Sequence, residues 1–201
     1  MSTPRVTRRH LLEAAGVLGA AGVVLGPTEV FAEENHHMRW DLLDLNFATG
    51  QACAGGVAWA RAEDNSRITL SGSGTFRSNP GRPQDVTGGG AWNTASAGGS
   101  PTGSGTYEVV GFVSYVLAPG VFPPITDCIG DKKDVRAGLA HFRIAYDDGD
   151  TGVLIVSCHL VGTPNSVFEG ITVSKGFVDY SHHGQAVAGV NANRTNFHVI
   201  R

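Results

Sequence analysis

Apolar and polar residues alternate in short runs over most of the chain. Ala140, Phe142, Ile144 and Tyr146 fall on one face of an extended segment, opposite His141 and Arg143. Asp147-Asp148-Gly149-Asp150 follows as a hairpin-turn signature. Leu154, Val156, Cys158 and Leu160 then share one face of residues 152–160. A period of two is the mark of a half-buried strand. Residues 67–71 alternate in the same way, and residues 107–115 are β-rich with Gly111 as a bend. Residues 167–180 predict one or two further strands, and residues 196–201 a closing one. After the first thirty or so residues, no segment carries a 3.6-residue apolar period.

A local repeat sharpens the strand reading. Gly55-Gly56-Val57-Ala58-Trp59, Gly72-Ser73-Gly74-Thr75-Phe76, Gly88-Gly89-Gly90-Ala91-Trp92 and Gly103-Ser104-Gly105-Thr106-Tyr107 share the form Gly-x-x-(Ala/Thr)-aromatic. Their starts lie 17, 16 and 15 residues apart. That spacing fits equivalent points on alternate strands of a meander. The glycines permit bends, and Trp59, Phe76, Trp92 and Tyr107 become candidates for lining a barrel interior, where they would meet a ligand. The same glycines lack the Lys and the strand-to-helix context of a phosphate-binding loop.

Eight or more strands with hairpin-length turns predict an all-β domain, a single antiparallel β-barrel with a β-sandwich as the alternative. The Gly-x-Gly-x-aromatic strands and the size resemble the allene oxide cyclase and dirigent barrel superfamily over about residues 41–180. The resemblance implies a barrel and brings across no catalytic motif, so it informs fold rather than function. Residues 118–136 and 180–195 read as long loops, the usual carriers of function on a rigid scaffold. Residues 77–103 read as a solvated hairpin region.

The N-terminal segment breaks the pattern. Thr7-Arg8-Arg9-His10-Leu11-Leu12 resembles the twin-arginine export signal, departing from it at Glu13, where that pattern often has Lys. Residues 14–26 are apolar but too short for a stable membrane span, which needs about 20 apolar residues. Pro27 ends the run, and Val30-Phe31-Ala32 offers small residues for a cleavage site. The expected organisation is a signal peptide over 1–32 and one β-barrel-like domain over 33–201. The twin-arginine translocase is the expected export partner, and the mature protein is expected outside the cytoplasm. No Cys follows the apolar run, which argues against a lipid anchor.

Composition narrows the function classes. The chain has 201 residues, 16 % charged, with a formal net charge of −3 and 28 glycines. Lysine occurs only at 132, 133 and 175. Nucleic-acid binding needs clustered Lys and Arg to neutralise phosphates, so no nucleic-acid partner is expected.

Candidate chemistry rests on a few residues. Three cysteines in an exported protein allow one bridge and one leftover thiol. The expected pair is Cys128–Cys158, which would pin the long loop to a central strand, with a buried free Cys158 as the alternative and no role assigned to Cys53. His36, His37, His141, His159, His182, His183 and His198 could converge on zinc or copper, but no HExxH or CxxC spacing supports a metal site. No Gly-x-Ser-x-Gly elbow supports a serine triad. The resulting expectation is a small barrel that binds an apolar or amphipathic molecule. A cyclase- or isomerase-type enzyme is the second reading, with His141, His159 and Asp179 as its polar candidates. A structural or cell-surface interaction protein without a ligand is the third.

Overall fold

A computed structural model describes residues 36–78 and 85–200. The expected signal peptide and its cleavage point lie outside these residues. The strands are β1 (His37–Asn46), β2 (Gln51–Ala54), β3 (Val57–Arg61), β4 (Arg67–Ser71) and β5 (Ser73–Arg77). They continue as β6 (Val86–Ala95), β7 (Pro101–Ala118), β8 (Thr126–Asp127), β9 (Val135–Tyr146) and β10 (Thr151–Cys158). The last four are β11 (Gly170–Lys175), β12 (Val178–Tyr180), β13 (His182–His183) and β14 (Thr195–Ile200). No helix among the described residues is long and apolar enough to cross a membrane.

Six strands close an antiparallel barrel in the order β1-β5-β6-β7-β9-β14 and back to β1. Closure removes the exposed edges that an open sheet would present. Two flaps extend the wall. β10, β11 and β12 continue outward from β9, and β4, β3 and β13 continue from β6. The fold is thus a barrel rather than the alternative sandwich.

The alternation places the core. Ala140, Phe142, Ile144 and Tyr146 of β9, and Leu154, Val156 and Cys158 of β10, are buried. Phe76 stands at the centre of the interior. Its ring lies 5.1 Å from Phe112, 5.4 Å from both Tyr115 and Phe142, and 6.0 Å from Phe197. Stacked and edge-on aromatic pairs at these separations are mutually favourable.

Glycine shapes one side of the barrel. Gly74 faces Gly88 across the β5–β6 ladder. A Cβ on Gly74 would lie 2.2 Å from the Thr87 carbonyl oxygen and 2.7 Å from Trp40 Nε1. The bare backbone therefore leaves room for the Trp40 indole, which is fully buried. Gly72, at φ +147°, separates β4 from β5, so residues 67–77 act as one bent strand pairing along β6. Residues 77–103 read as a solvated hairpin region, and β6 with the start of β7 forms an antiparallel hairpin whose positions are mostly exposed or half-buried.

The acidic hairpin closes one end of the wall. Asp147 accepts from the Thr106 N–H at 2.9 Å and from Trp92 Nε1 at 3.1 Å, and the backbone bond leads in holding its carboxyl below the usual range. Lys175 Nζ lies 2.5 Å from Asp148 and from Asp150, 4.5 Å from the centre of the Trp92 ring and 4.9 Å from that of Tyr146.

The disulfide joins Cys53 to Cys128, 75 residues apart, and corrects the expected Cys128–Cys158 pair. Cys158 is free and buried on the inward face of β10. Cys128 belongs to the loop on the outside of the wall, where its N–H donates to Ala52 of β2. The barrel wall therefore separates Cys128 from the thiol that looked nearer in sequence.

Candidate functional site

The four repeat aromatics do not share one role. Phe76, Trp92 and Tyr107 are buried in the aromatic core. Trp59 belongs to a strand whose buried positions are Ala58 and Ala60, so its ring lies on the other face. There the Arg61 and Arg67 guanidinium groups lie 5.2 and 6.0 Å from its centre. The repeat is regular in sequence but not in the face it presents.

A cleft of about 160 Å³ opens instead on the outside of the wall. Its first side comes from the end of β1. Met38, Trp40 and Leu42 take the inward positions, which leaves Leu43 and Leu45 on the outer face. β2 folds back on β1 through a turn in which Asn46 Oδ1 accepts from the Ala48 and Thr49 N–H groups. Ala52 of β2 extends the same surface.

The second side is the long loop after β7, through Phe122, Pro123 and Ile125. Several anchors hold this loop. Val121 and Val161 exchange backbone hydrogen bonds of 2.9 and 3.2 Å. Thr163 Oγ1 donates to the Pro119 carbonyl at 2.7 Å and accepts from the Leu160 N–H at 3.0 Å. β8 pairs with β2, and the disulfide lies immediately beyond it. Asp127 Oδ2 meets His198 Nε2 at 2.6 Å with both side chains buried.

Polar groups converge where the end of β10, the start of β11 and the start of β14 meet. Glu169 Oε2 accepts from the His159 N–H at 2.5 Å, and Oε1 accepts from the Thr195 N–H at 2.7 Å. Thr195 Oγ1 donates to the Ser157 carbonyl at 2.6 Å, and Ser157 Oγ donates to the Phe168 carbonyl at 2.5 Å. Burial pushes the Glu169 carboxyl up to about 8, against the two N–H groups and the nearby Arg194 charge that favour its ionised form. At neutral pH it is therefore mostly a neutral acid.

His159 and Arg194 complete the polar end. His159 Nδ1 is 2.7 Å from the Val167 carbonyl oxygen. A carbonyl can only accept, so Nδ1 carries hydrogen and Nε2 is left as the nitrogen without a protein partner among the described residues. Arg194 lines the cleft, and its Nε is buried with no hydrogen-bond partner. Leu160, Val161 and Thr195 finish the lining.

Of the three polar candidates, only His159 lines this cleft. His141 lies on the outer face of β9, 3.1 Å from Ser114 Oγ, and burial lowers its pKa. Asp179 is exposed on β12 at the end of a flap. These three residues form no common site.

The remaining histidines are also dispersed. His182 Nε2 meets Glu63 at 2.8 Å, and the His183 ring stacks on Phe168 at 4.5 Å. Among the described residues, no three His, Cys, Asp or Glu side chains converge in a way that could hold a metal ion.

Sequence reasoning missed Glu169 and Arg194. Glu169 falls within residues 167–180, read as one or two strands, and Arg194 at the end of a loop read as Gly/Asn/His-rich. Neither belongs to a motif. Only their meeting in space marks them. Comparison of the chain with protein-family models, with curated proteins and with solved structures found no match for it.

Proposed function

We propose that the protein is an exported β-barrel that binds a small amphipathic molecule in the cleft between its outer wall and the 119–127 loop. The observation that carries this reading is the Arg194 side chain, which lines the polar end of an otherwise apolar cleft and makes no ion pair among the described residues. A ligand acceptor that meets this guanidinium gains a charge-assisted hydrogen bond. An engineered apolar cavity of about 150 Å³ holds benzene, so this cleft suits a ligand of similar bulk. Export is supported by the paired arginines and apolar run at the N-terminus. The Cys53–Cys128 bridge supports an oxidising compartment. Native mass spectrometry of the exported protein, purified without a metal-affinity tag, tests the reading. A bound organic adduct lost on Ala52→Phe, which fills the cleft, is expected. An adduct retained in that variant would place the ligand elsewhere, and a bare mass would favour a structural protein without a ligand.

One observation favours the isomerase reading as a second. The cleft pairs a carboxyl that holds its proton near neutrality with an imidazole whose Nε2 is open. Such a pair can move a proton within a carbonyl compound. His159 Nε2 takes the proton from the carbon next to the carbonyl while the Glu169 carboxyl protonates the carbonyl oxygen, giving an enol. Return of the proton at another position completes the isomerisation. A carbonyl compound incubated with the protein in D2O should then gain deuterium, and His159→Gln should abolish the gain. Equal exchange by the variant removes His159 from the chemistry.

A further inference from the structure

The chemistry of the ligand's polar end is inferred on the basis that the cleft is the binding site proposed above. The lining contains three ionisable side chains, His159, Glu169 and Arg194. Glu169 does not neutralise Arg194 by direct contact. Both its oxygens are engaged by backbone N–H groups at 2.5 and 2.7 Å, and no ion pair joins the two side chains among the described residues. Arg194 lines the cleft without an ion pair among the described residues, and a guanidinium retains its charge at any physiological pH. The rest of the surface nearby is apolar, from Leu43 and Leu45 to Phe122 and Ile125. The cleft therefore offers one fixed positive charge beside a hydrocarbon-lined volume.

We infer that the cleft selects short apolar carboxylates, with Arg194 as the specificity-determining residue for the carboxylate. The fork of a guanidinium matches the spacing of two carboxylate oxygens; with Nε buried, the two Nη groups make the parallel charge-assisted bonds. The hydrocarbon body lies against Leu43, Leu45 and Phe122. The protonated Glu169 carboxyl adds no competing negative charge at neutral pH. A volume of about 160 Å³ limits the body to roughly six to eight non-hydrogen atoms. Long-chain acids would have to project out of the open side.

The test compares hexanoate with hexan-1-ol by isothermal titration calorimetry at pH 7 on the oxidised, full-length protein, Arg194→Gln and Ala52→Phe. Hexanoate is expected to bind about 10- to 100-fold more tightly than the alcohol, the range for a hydrogen-bonded charge. Arg194→Gln should remove that preference while leaving the alcohol's affinity unchanged. Equal affinities in the native protein, a comparison that needs no variant, would overturn the carboxylate assignment and leave the cleft standing as a site for neutral molecules. A preference that persists in Arg194→Gln would overturn the role of Arg194. Absence of binding by either probe, or binding unchanged by Ala52→Phe, would overturn both the cleft and the assignment built on it.

Discussion

Glu169 gives the sharpest stability prediction. Its carboxyl is pushed from an ordinary 4.5 to about 8 by burial. At about 1.4 kcal/mol for each tenfold change, ionising it in the folded protein costs about 5 kcal/mol more than in the unfolded chain, as an upper figure. The sign follows from proton counts. Below pH 4.5 the group is protonated in both states. Between 4.5 and 8 the unfolded chain has released the proton and the folded protein still holds it, so stability falls as pH rises. Above 8 both states are ionised, and the loss is complete and constant. Glu169→Gln cannot ionise and loses this slope. Its amide has one oxygen for the two backbone N–H groups of His159 and Thr195, so one donor is orphaned at a cost of about 1–3 kcal/mol. Urea unfolding from pH 4.5 to 9 should find the variant less stable at the acid end and the difference shrinking or reversing at the alkaline end. His141 and His183, both lowered mainly by burial, gain stability with rising pH in both proteins and cancel in the difference. Parallel stability curves for the two proteins would refute the buried neutral acid.

Three further outcomes follow from the packing. Cys53→Ser opens a 75-residue loop and should lower stability by about 4 kcal/mol in equilibrium unfolding; it should also weaken hexanoate binding, because the bridge anchors one side of the cleft. Phe76→Ala, at the centre of the aromatic core, should cost about 3–5 kcal/mol by the same measurement, and a loss below 1 kcal/mol would contradict the solid interior. Gly74→Ala drives a methyl against the Thr87 carbonyl and the Trp40 ring and should cost about 3 kcal/mol, seen as a lowered Tm and altered tryptophan fluorescence.

The strands were legible wherever a strict period of two meets a buried face, as in Ala140–Tyr146 and Leu154–Cys158. At Gly88-Gly89-Gly90 the repeat marked the strand but not its packing, because the apolar group that fills that part of the core is Trp40, some fifty residues earlier in the chain. The regular Gly-aromatic repeat suggested four equivalent rings. The bend at Gly72 lets residues 67–77 serve as one strand, and Trp59 lies on a strand whose alanines face inward. The disulfide was misread for a related reason. Cys128 and Cys158 are close along the chain but lie on different sides of the wall, while β2 brings Cys53 to the loop. The cleft itself had no local signature. It is assembled from the end of β1, β2, the loop after β7, the end of β10 and the residues just before β11 and β14. Its two most informative side chains, Glu169 and Arg194, gain their character only from the place the fold gives them in the cleft.

On the function proposed above, the ligand is held outside the barrel wall rather than within the barrel. The most direct test is a hexanoate titration of ¹⁵N-labelled, oxidised protein followed by amide chemical shifts. The shifts are expected to centre on Leu43, Ala52, Ile125, His159, Glu169 and Thr195. Shifts centred on Trp92, Tyr107 and Phe112, or none at saturating ligand, would contradict that placement.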